Sequence, residues 1–145
     1  MFQHILLPLD GSTVSRKAAR KAIALAKQAG ARITAYHALG SGPRGVYGDG
    51  YRLPPERSSR SRLRKARVQW FDGLARAARD AGVRFATAVD RAFTPHEGIV
   101  AAAQKRKCDL IVIGSHGRRG LARLALGSVA ENVIARSSVP VLVYR

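Results

Sequence analysis

A stretch of small residues near the end of the chain has the composition of a phosphate-binding loop. Gly114, Gly117, Gly127 and Ser128 are spaced as Gly-x2-Gly-x9-Gly-Ser, directly after the apolar run 110–113. Glycine after a strand can take a positive φ, and its missing Cβ lets an anion approach the backbone. The helical pattern that begins at Gly127 and Ser128 offers unpaired N–H groups and a positive dipole end. The spacing therefore predicts two backbone sites that together could hold the ribose and phosphates of one nucleotide.

The common phosphate loops do not explain this stretch. A Walker A loop ends in Gly-Lys-Ser/Thr, and residues 114–128 contain no lysine. The Rossmann pattern Gly-x-Gly-x-x-Gly is also missing after the first strand, where only Gly11 is found. Arg118 and Arg119 are candidate phosphate contacts, because guanidinium groups bind phosphate through paired donors, with a solvated loop as the equal alternative. Ser12 is predicted first as a helix cap and second as a phosphate contact.

Other ionisable side chains do not form a recognisable catalytic or metal-binding pattern. Asp10 follows the first strand, where it either caps the next helix or contacts a ligand. His37 and His116 have no carboxylate or cysteine at matching spacing, so we interpret them as core or turn residues. His96 is interpreted as a residue of a helix's first turn, and the lone Cys108 as a small residue at a helix end. The expectation is a site with no catalytic residue and no protein metal ligand.

Alternating apolar runs and helical patterns predict five strands and four helices. Strands are expected within 2–10 with an end at Pro8, and at 32–39, 83–90, 110–113 and 139–145. Helices are expected from Ser12 or Thr13 to Gly30, from Glu56 or Arg57 to about Gly82, from Pro95 to Lys107, and from about Leu126 to Ser137. Such alternation predicts an α/β fold with an open, doubly wound, five-stranded parallel sheet and helices on both faces. Ligands bind beyond the carboxyl ends of such strands, here at 8–12, 37–39 and 114–117.

Composition indicates one cytoplasmic domain. The length of 145 residues suits one domain over 1–145, and 46% hydrophobic with 24% charged residues is ordinary for a soluble globular protein. The start lacks the pattern of a signal peptide, and no run of roughly 18 apolar residues could span a bilayer. Five glycines and three prolines in 40–56 predict a mobile loop within the domain.

The net charge of +17, from 26 Lys and Arg against 9 Asp and Glu, favours anionic partners without choosing one. The densest basic run lies between Arg57 and Arg67. Aromatic residues do not alternate with these bases, so a solvated helix face or mobile segment is favoured over a nucleic-acid site. Nucleic-acid binding through this segment is kept as an alternative.

Taken together, these segments resemble the universal stress protein family. The resemblance is carried by "ILLPLDGS" near the start, by "GSHGRRGLARLALGSVAENVIARSSVPVLVYR" at the end, and by the alternating pattern between them. It implies a fold of the adenine nucleotide alpha hydrolase type with strand order 3-2-1-4-5. It also implies the ATP-binding branch, a nucleotide-dependent regulator in stress response, and a homodimer that pairs the last strand, Val139 to Tyr144, with its counterpart. Slow ATP hydrolysis or self-phosphorylation, with Mg²⁺ or Mn²⁺ screening the phosphates, is the enzymatic alternative.

The resemblance also implies a role for individual residues. Three positions would surround the adenine: Pro8, Asp10 and Ala38. Three would approach the ribose and first phosphates: Gly114, Ser115 and Gly117. Three would hold the remaining phosphates: Gly127, Ser128 and the backbone of Val129. One departure is that family members commonly have Gly-x-Pro before the third helix, where this chain has Phe93-Thr94-Pro95; it bears on the wall near the base or ribose.

Overall fold

A computed structural model describes residues 1–40, 57–116 and 126–145, with the backbone alone for 57–60. Its elements are β1 (His4–Pro8), α1 (Thr13–Ala29), β2 (Arg32–Gly40), α2 (Arg57–Asp80), β3 (Phe85–Ala92), α3 (Pro95–Lys105), β4 (Leu110–Gly114), α4 (Ser128–Arg136) and β5 (Val141–Tyr144). The strands form one five-stranded sheet in the order β3-β2-β1-β4-β5, with every pairing parallel. The predicted α/β fold and strand order are confirmed.

Strand β1 lies at the centre of the sheet. Ile5 pairs with Ile33 of β2 on one side and with Leu110 of β4 on the other. The chain therefore adds β2 and β3 in one direction from β1, and then β4 and β5 in the other. This reversal leaves a crevice at the carboxyl ends of β1 and β4, which is where ligands bind in sheets of this kind.

Helices cover both faces of the sheet. Ile5 and Leu7 point to the face that α1 and α2 cover, and Leu6 points to the face that α3 and α4 cover. All residues of β1 and β4 are buried, as parallel strands packed on both faces require. Within the described residues, no helix has both the length and the apolar composition needed to cross a membrane.

Local sequence signals define the helix ends. The Ser12 hydroxyl accepts a hydrogen bond from the Ser15 N–H at 3.1 Å and caps α1, which ends at Gly30 with a φ of +66°. Thr94 caps α3 in the same way by accepting from the Glu97 N–H, and Pro95 occupies the first turn. The predicted ends of α1 and the predicted start of α3 are confirmed.

Several other boundaries differ from those expected. Strand β3 runs to Ala92, because its pairing with β2 continues to the pair Gly40 and Ala92. Gly40 is therefore a strand residue and not the first residue of the expected loop, whose other residues, 41–56, lie outside the described part of the chain. Strand β5 begins only at Val141, since Pro140 has no N–H to donate.

Candidate functional site

The turn after β1 places Asp10 at the carboxyl end of the sheet. Pro8 is the last residue of β1, and the Asp10 carboxylate accepts a hydrogen bond from the Ser12 N–H at 2.8 Å. Asp10 thus holds the turn ahead of α1, while Ser12 is the cap itself. Because the Ser12 hydroxyl accepts from the Ser15 N–H, the helix-cap role predicted for it is confirmed. The Asp10 side chain is half-buried at the crevice, where the sequence predicted a ligand contact.

Trp70 of α2 covers the next residue of this turn. Gly11 has a φ of +82°, and a Cβ built there would overlap the six-membered ring of the Trp70 indole. The Trp70 ring meets the His37 ring edge to face, with 6.5 Å between the centroids. The sequence did not predict this place for Trp70, because it showed Trp70 only as one of the apolar residues at helical spacing between Arg57 and Gly82.

His37 has a structural role beside this turn. Its Nδ1 lies 2.7 Å from the Leu9 carbonyl oxygen, which ties the end of β2 to the end of β1. The interpretation of His37 as a core or turn residue agrees with this contact. His116 is half-buried, and its buried Nδ1 has no hydrogen-bond partner in the described part of the chain.

The backbone conformation of Gly114 differs from the one expected. Positive φ values among the described glycines occur at Gly11, Gly30 and Gly82, so the expectation of a positive φ at Gly114 is wrong. A Cβ on Gly114 would instead lie 2.9 Å from Val14 Cγ1 and 3.3 Å from the Ser15 nitrogen. The missing side chain lets the first turn of α1 pack against the end of β4. Gly114 therefore allows α1 and β4 to pack closely beside the crevice.

Ser115 connects three elements at the end of β4. Its N–H donates to the Tyr144 carbonyl at 2.7 Å, and its own carbonyl accepts from the Gly127 N–H at 2.6 Å. The end of β4 is thereby joined to the end of β5 and to the start of α4. The Ser115 side chain is 1% exposed, and its hydroxyl has no hydrogen-bond partner within the described residues. Buried hydroxyls are nearly always paired in proteins, so this one is a candidate ligand contact.

The amino terminus of α4 faces the same crevice without a side-chain cap. Gly127 is the N-cap residue and makes no side-chain hydrogen bond, in contrast to Ser12 on α1 and Thr94 on α3. The Gly127 N–H is already donated to Ser115, so Gly127 contributes a bare surface and not a donor. The N–H groups of Ser128 and Val129 follow in the first turn, where a helix offers donors to an anion. Glu131 in the same turn offsets part of the positive dipole end.

The structure brings most of the predicted site residues to one edge of the sheet. Pro8 and Asp10 come from β1 and its turn, Ser115 from the end of β4, and Gly127 and Ser128 from the start of α4. Ala38 lies on the neighbouring strand β2, where it is 9% exposed and faces Gly98 of α3. Val129 packs partly into the core between α3 and α4. Three predicted contacts lie outside the described residues: Gly117, Arg118 and Arg119.

Burial shifts the pKa values of three ionisable groups that lie at different places in the fold. Burial, together with Asp90, raises the pKa of Tyr36 to about 12, and burial together with Arg136 lowers the pKa of His96. Burial also raises the pKa of the Cys108 thiol to about 11, so the thiol stays protonated. Across residues 1–40, 57–116 and 126–145, no group of three His, Cys, Asp or Glu side chains could hold a metal ion.

The turn ahead of α3 shows what the Phe93-Thr94-Pro95 departure does. Phe93 is 66% exposed, and Thr94 supplies the hydroxyl that caps the helix. Where family members commonly have glycine, this chain thus has the solvent-exposed ring of Phe93, next to a capped start of α3.

Comparison with known sequences gives matches over the whole chain. The profile of the universal stress protein family matches residues 1–145. The universal stress protein MJ0531 of Methanocaldococcus jannaschii is 36% identical over 148 aligned positions, which cover 100% of this chain and 83% of that protein. A Thermus aquaticus universal stress protein, named for its position in the QAH/OAS sulfhydrylase 3' region, is 35% identical, with 100% of both chains covered.

Comparison with solved structures gives the same fold. The structure of the hypothetical protein MJ0577 superposes with a TM-score of 0.77 at 26% identity, covering 99% of this chain and 96% of that one. A universal stress protein in complex with cAMP superposes with a TM-score of 0.73 at 24% identity, over 99% and 97% of the two chains. An Arabidopsis thaliana family member with AMP bound gives 0.68 at 14% identity, over 97% and 90%. The similarities of these last two chains concern the fold.

Proposed function

We propose a function from the premise that this chain belongs to the universal stress protein family: it binds ATP at the carboxyl end of β1 and β4 and acts as a nucleotide-dependent regulator in stress response. One observation carries the proposal. The uncapped start of α4 is bonded to Ser115, whose buried hydroxyl has no partner within the described residues. A phosphate group placed there would accept from that hydroxyl and from the N–H groups of the helix start.

The proposed arrangement runs along the crevice. Pro8, Asp10 and Ala38 would surround the adenine, with Asp10 accepting from or orienting the edge of the base. Gly114, Ser115 and Gly117 would lie along the ribose and first phosphates. Gly127, Ser128 and the Val129 backbone would hold the remaining phosphates, with Ser12, Arg118 and Arg119 as further candidate phosphate contacts. Mg²⁺ or Mn²⁺ would bind through the phosphates.

Relatives support an adenine nucleotide as the ligand class. One structural neighbour was solved with cAMP and another with AMP, in proteins of the same fold. The proposal of ATP in particular rests on the glycine spacing and on the uncapped helix start, which gives a second anion site beyond the ribose.

A regulatory role fits the described side chains better than a catalytic one. Within the described contacts, His37 Nδ1 lies against the Leu9 carbonyl and not against a carboxylate that would orient the ring as a general base. Slow ATP hydrolysis is the second candidate. The proposal places the protein in the cytoplasm, where the ATP pool is, and pairs two copies through the strand from Val139 to Tyr144.

Calorimetry with ATP, ADP and AMP tests the proposed ligand on the whole chain. We expect saturable binding of ATP to the wild-type chain. Gly127→Ala combined with Ser128→Ala should abolish binding, because the pair loses a hydroxyl and gains a methyl at the helix start. A matched control carries the same two changes on α2, Gly73→Ala with Ser61→Ala, where a Cβ on Gly73 meets no atom within 4 Å. The control should bind ATP like the wild type.

Two results would decide against the proposal. A wild-type chain that ignores all three nucleotides has no such site, and a double variant at Gly127 and Ser128 that binds ATP unchanged places the nucleotide elsewhere. Trp70, the single tryptophan of the chain, gives an independent optical readout, since it covers the turn that holds Asp10. ATP hydrolysis that survives the double variant would come from another protein in the sample.

A further inference from the structure

A second cavity opens at the opposite edge of the sheet, among the amino-terminal ends of the strands. It measures about 290 Å³ and is lined by six residues: Gln3, His4, Arg32, Arg84, Lys107 and Asp109. Ligand pockets usually measure roughly 300–1,000 Å³, so this one suits a small molecule or ion. None of its residues belongs to the crevice described above.

Backbone hydrogen bonds fix the segments that line this cavity. The Arg32 N–H donates to the Gln3 carbonyl at 3.0 Å, and the Ile33 N–H donates to the Arg84 carbonyl at 2.8 Å. The Asp109 N–H donates to the His4 carbonyl at 2.9 Å. These bonds hold the starts of β1, β2, β3 and β4 side by side. The three basic residues, Arg32 at the start of β2, Arg84 ahead of β3 and Lys107 ahead of β4, thus converge at positions that the sheet determines.

The charge around the cavity is predominantly positive. Arg32, Arg84 and Lys107 face a single carboxylate, Asp109. That carboxylate accepts from the Gln3 N–H at 2.7 Å and from the His4 N–H at 2.9 Å, so each of its oxygens has a backbone donor. Burial opposes its ionisation, but these hydrogen bonds outweigh burial and lower the pKa of Asp109. Among the described residues, Arg106 and Asp90 form the one ion pair with a nitrogen–oxygen distance below 4 Å. Asp109 therefore makes no direct ion pair with Arg32, Arg84 or Lys107.

His4 adds a buried polar group to the cavity wall. Its side chain is 7% exposed, and its Nε2 lies 2.8 Å from the Thr34 hydroxyl. Its Nδ1 is buried without a hydrogen-bond partner within the described residues. Burial, and after it the charge of Arg32, lowers the pKa of His4, so the ring is neutral near pH 7. Because this Nδ1 is buried and the backbone of Arg106 and Lys107 also interacts with the ring, His4 forms part of the wall and carries no charge into the cavity.

We propose that this cavity is a binding site for a phosphate-type oxyanion. The guanidinium groups of Arg32 and Arg84 would bind its oxygens through paired N–H donors, and the Lys107 ammonium would contribute a compact positive charge. His4, neutral and buried, would close the inner wall of the site. The site lies on the other edge of the sheet from the proposed ATP site and does not depend on that proposal.

A backbone-amide NMR titration with inorganic phosphate tests the site on the whole chain, with sodium chloride keeping the ionic strength constant. We expect saturable shifts at the amides of His4, Lys107 and Asp109. Pyrophosphate should saturate them at lower concentration, because a second phosphoryl group adds contacts. Arg32→Gln and Arg84→Gln should each weaken binding by about tenfold, while the exposed Arg20→Gln on α1 should leave it unchanged.

Other outcomes would overturn the proposal. Amide shifts that grow without saturating would show that phosphate is attracted only diffusely to a chain of net charge +17. An Arg20→Gln variant that loses as much phosphate affinity as Arg32→Gln would show the same. Loss of the phosphate response in the Gly127→Ala and Ser128→Ala double variant would place the anion at the carboxyl edge. If ATP fails to bind but the His4 and Asp109 amides still saturate with phosphate, the ATP proposal alone is wrong.

Discussion

At the scale of single residues, two glycines of this chain have uses that depend on distant side chains. Gly11 leaves room for the Trp70 ring, and Gly114 leaves room for Val14 and Ser15. Gly11 also needs its positive φ, whereas Gly114 does not have one. The two glycines therefore shape the crevice by allowing close packing around the turn that holds Asp10.

Gly11→Ala tests the contact with Trp70. An alanine at positive φ costs about 1–2 kcal/mol of stability, and here its Cβ would also displace the indole ring. The matched control is Gly30→Ala, which has a similar φ of +66° but no atom within 4 Å of the added Cβ. Urea denaturation should show a larger loss of unfolding free energy for Gly11→Ala than for Gly30→Ala.

A double variant separates the two parts of that loss. In the Trp70→Ala background, Gly11→Ala should no longer lose the unfolding free energy that comes from overlap of the Cβ with the indole ring. It should still lose the free energy that comes from an alanine at positive φ. Equal losses for Gly11→Ala and Gly30→Ala would mean that the indole ring moves aside without cost, which contradicts the packing argument.

At the scale of secondary-structure elements, the signals that lie within one segment predicted the structure well. The cap at Ser12, the stop at Gly30 and the Thr94-Pro95 start of α3 were each readable from neighbouring residues. Strand ends were less predictable, because the pairing of β2 with β3 as far as Ala92 involves residues about fifty positions apart. The positive φ expected at Gly114 is wrong for a related reason, since Gly114 is still part of β4 and pairs with Tyr144 of β5.

The site could be predicted in part for the same reasons. The Gly-Ser start of α4 was visible in the sequence, and so was Asp10 at a strand end. The bond from the Gly127 N–H to the Ser115 carbonyl was not, because it joins residues whose approach the sheet decides. The position of Trp70 was not predictable, because apolar residues at helical spacing show which face of a helix is buried but not which neighbour each side chain contacts.

Thr94→Ala tests the cap that accompanies the Phe93-Thr94-Pro95 departure. Loss of an N-cap hydroxyl typically costs about 1 kcal/mol, and we expect that loss in urea denaturation. Thr94→Ser keeps the hydroxyl that accepts from the Glu97 N–H, so it should lose much less unfolding free energy than Thr94→Ala. If Thr94→Ser is as destabilised as Thr94→Ala, the methyl group and not the cap stabilises this turn.

At the scale of the whole molecule, β5 is an edge strand of the sheet. It pairs with β4 on one side, and Leu142 at its centre is 47% exposed. An edge strand offers a row of unpaired backbone groups to a second strand, which supports the proposed pairing of two copies through the strand from Val139 to Tyr144.

Leu142→Lys tests that pairing by sedimentation. Two lysines facing each other across a symmetric interface would repel and lose apolar contact, so we expect the dimer to weaken by at least about tenfold. The control is Val68→Lys on α2, where the native side chain is 48% exposed and thus nearly as accessible. A wild-type chain that sediments as a monomer, or equal effects of the two lysines, would contradict the proposed interface.

The central position of β1 has a consequence for the order in which the molecule assembles during synthesis. Hydrogen bonds between the starts of β1 and β4 join His4 to Asp109 across a separation of 105 residues. A nascent chain can pair β1 with β2 early, but the other edge of β1 stays open until β4 has left the ribosome. Ser115 and the start of α4 come later still, so the crevice is incomplete on any shorter nascent chain. Retention of ATP, the proposed ligand, by ribosome-bound chains of increasing length would therefore mark the step at which folding finishes.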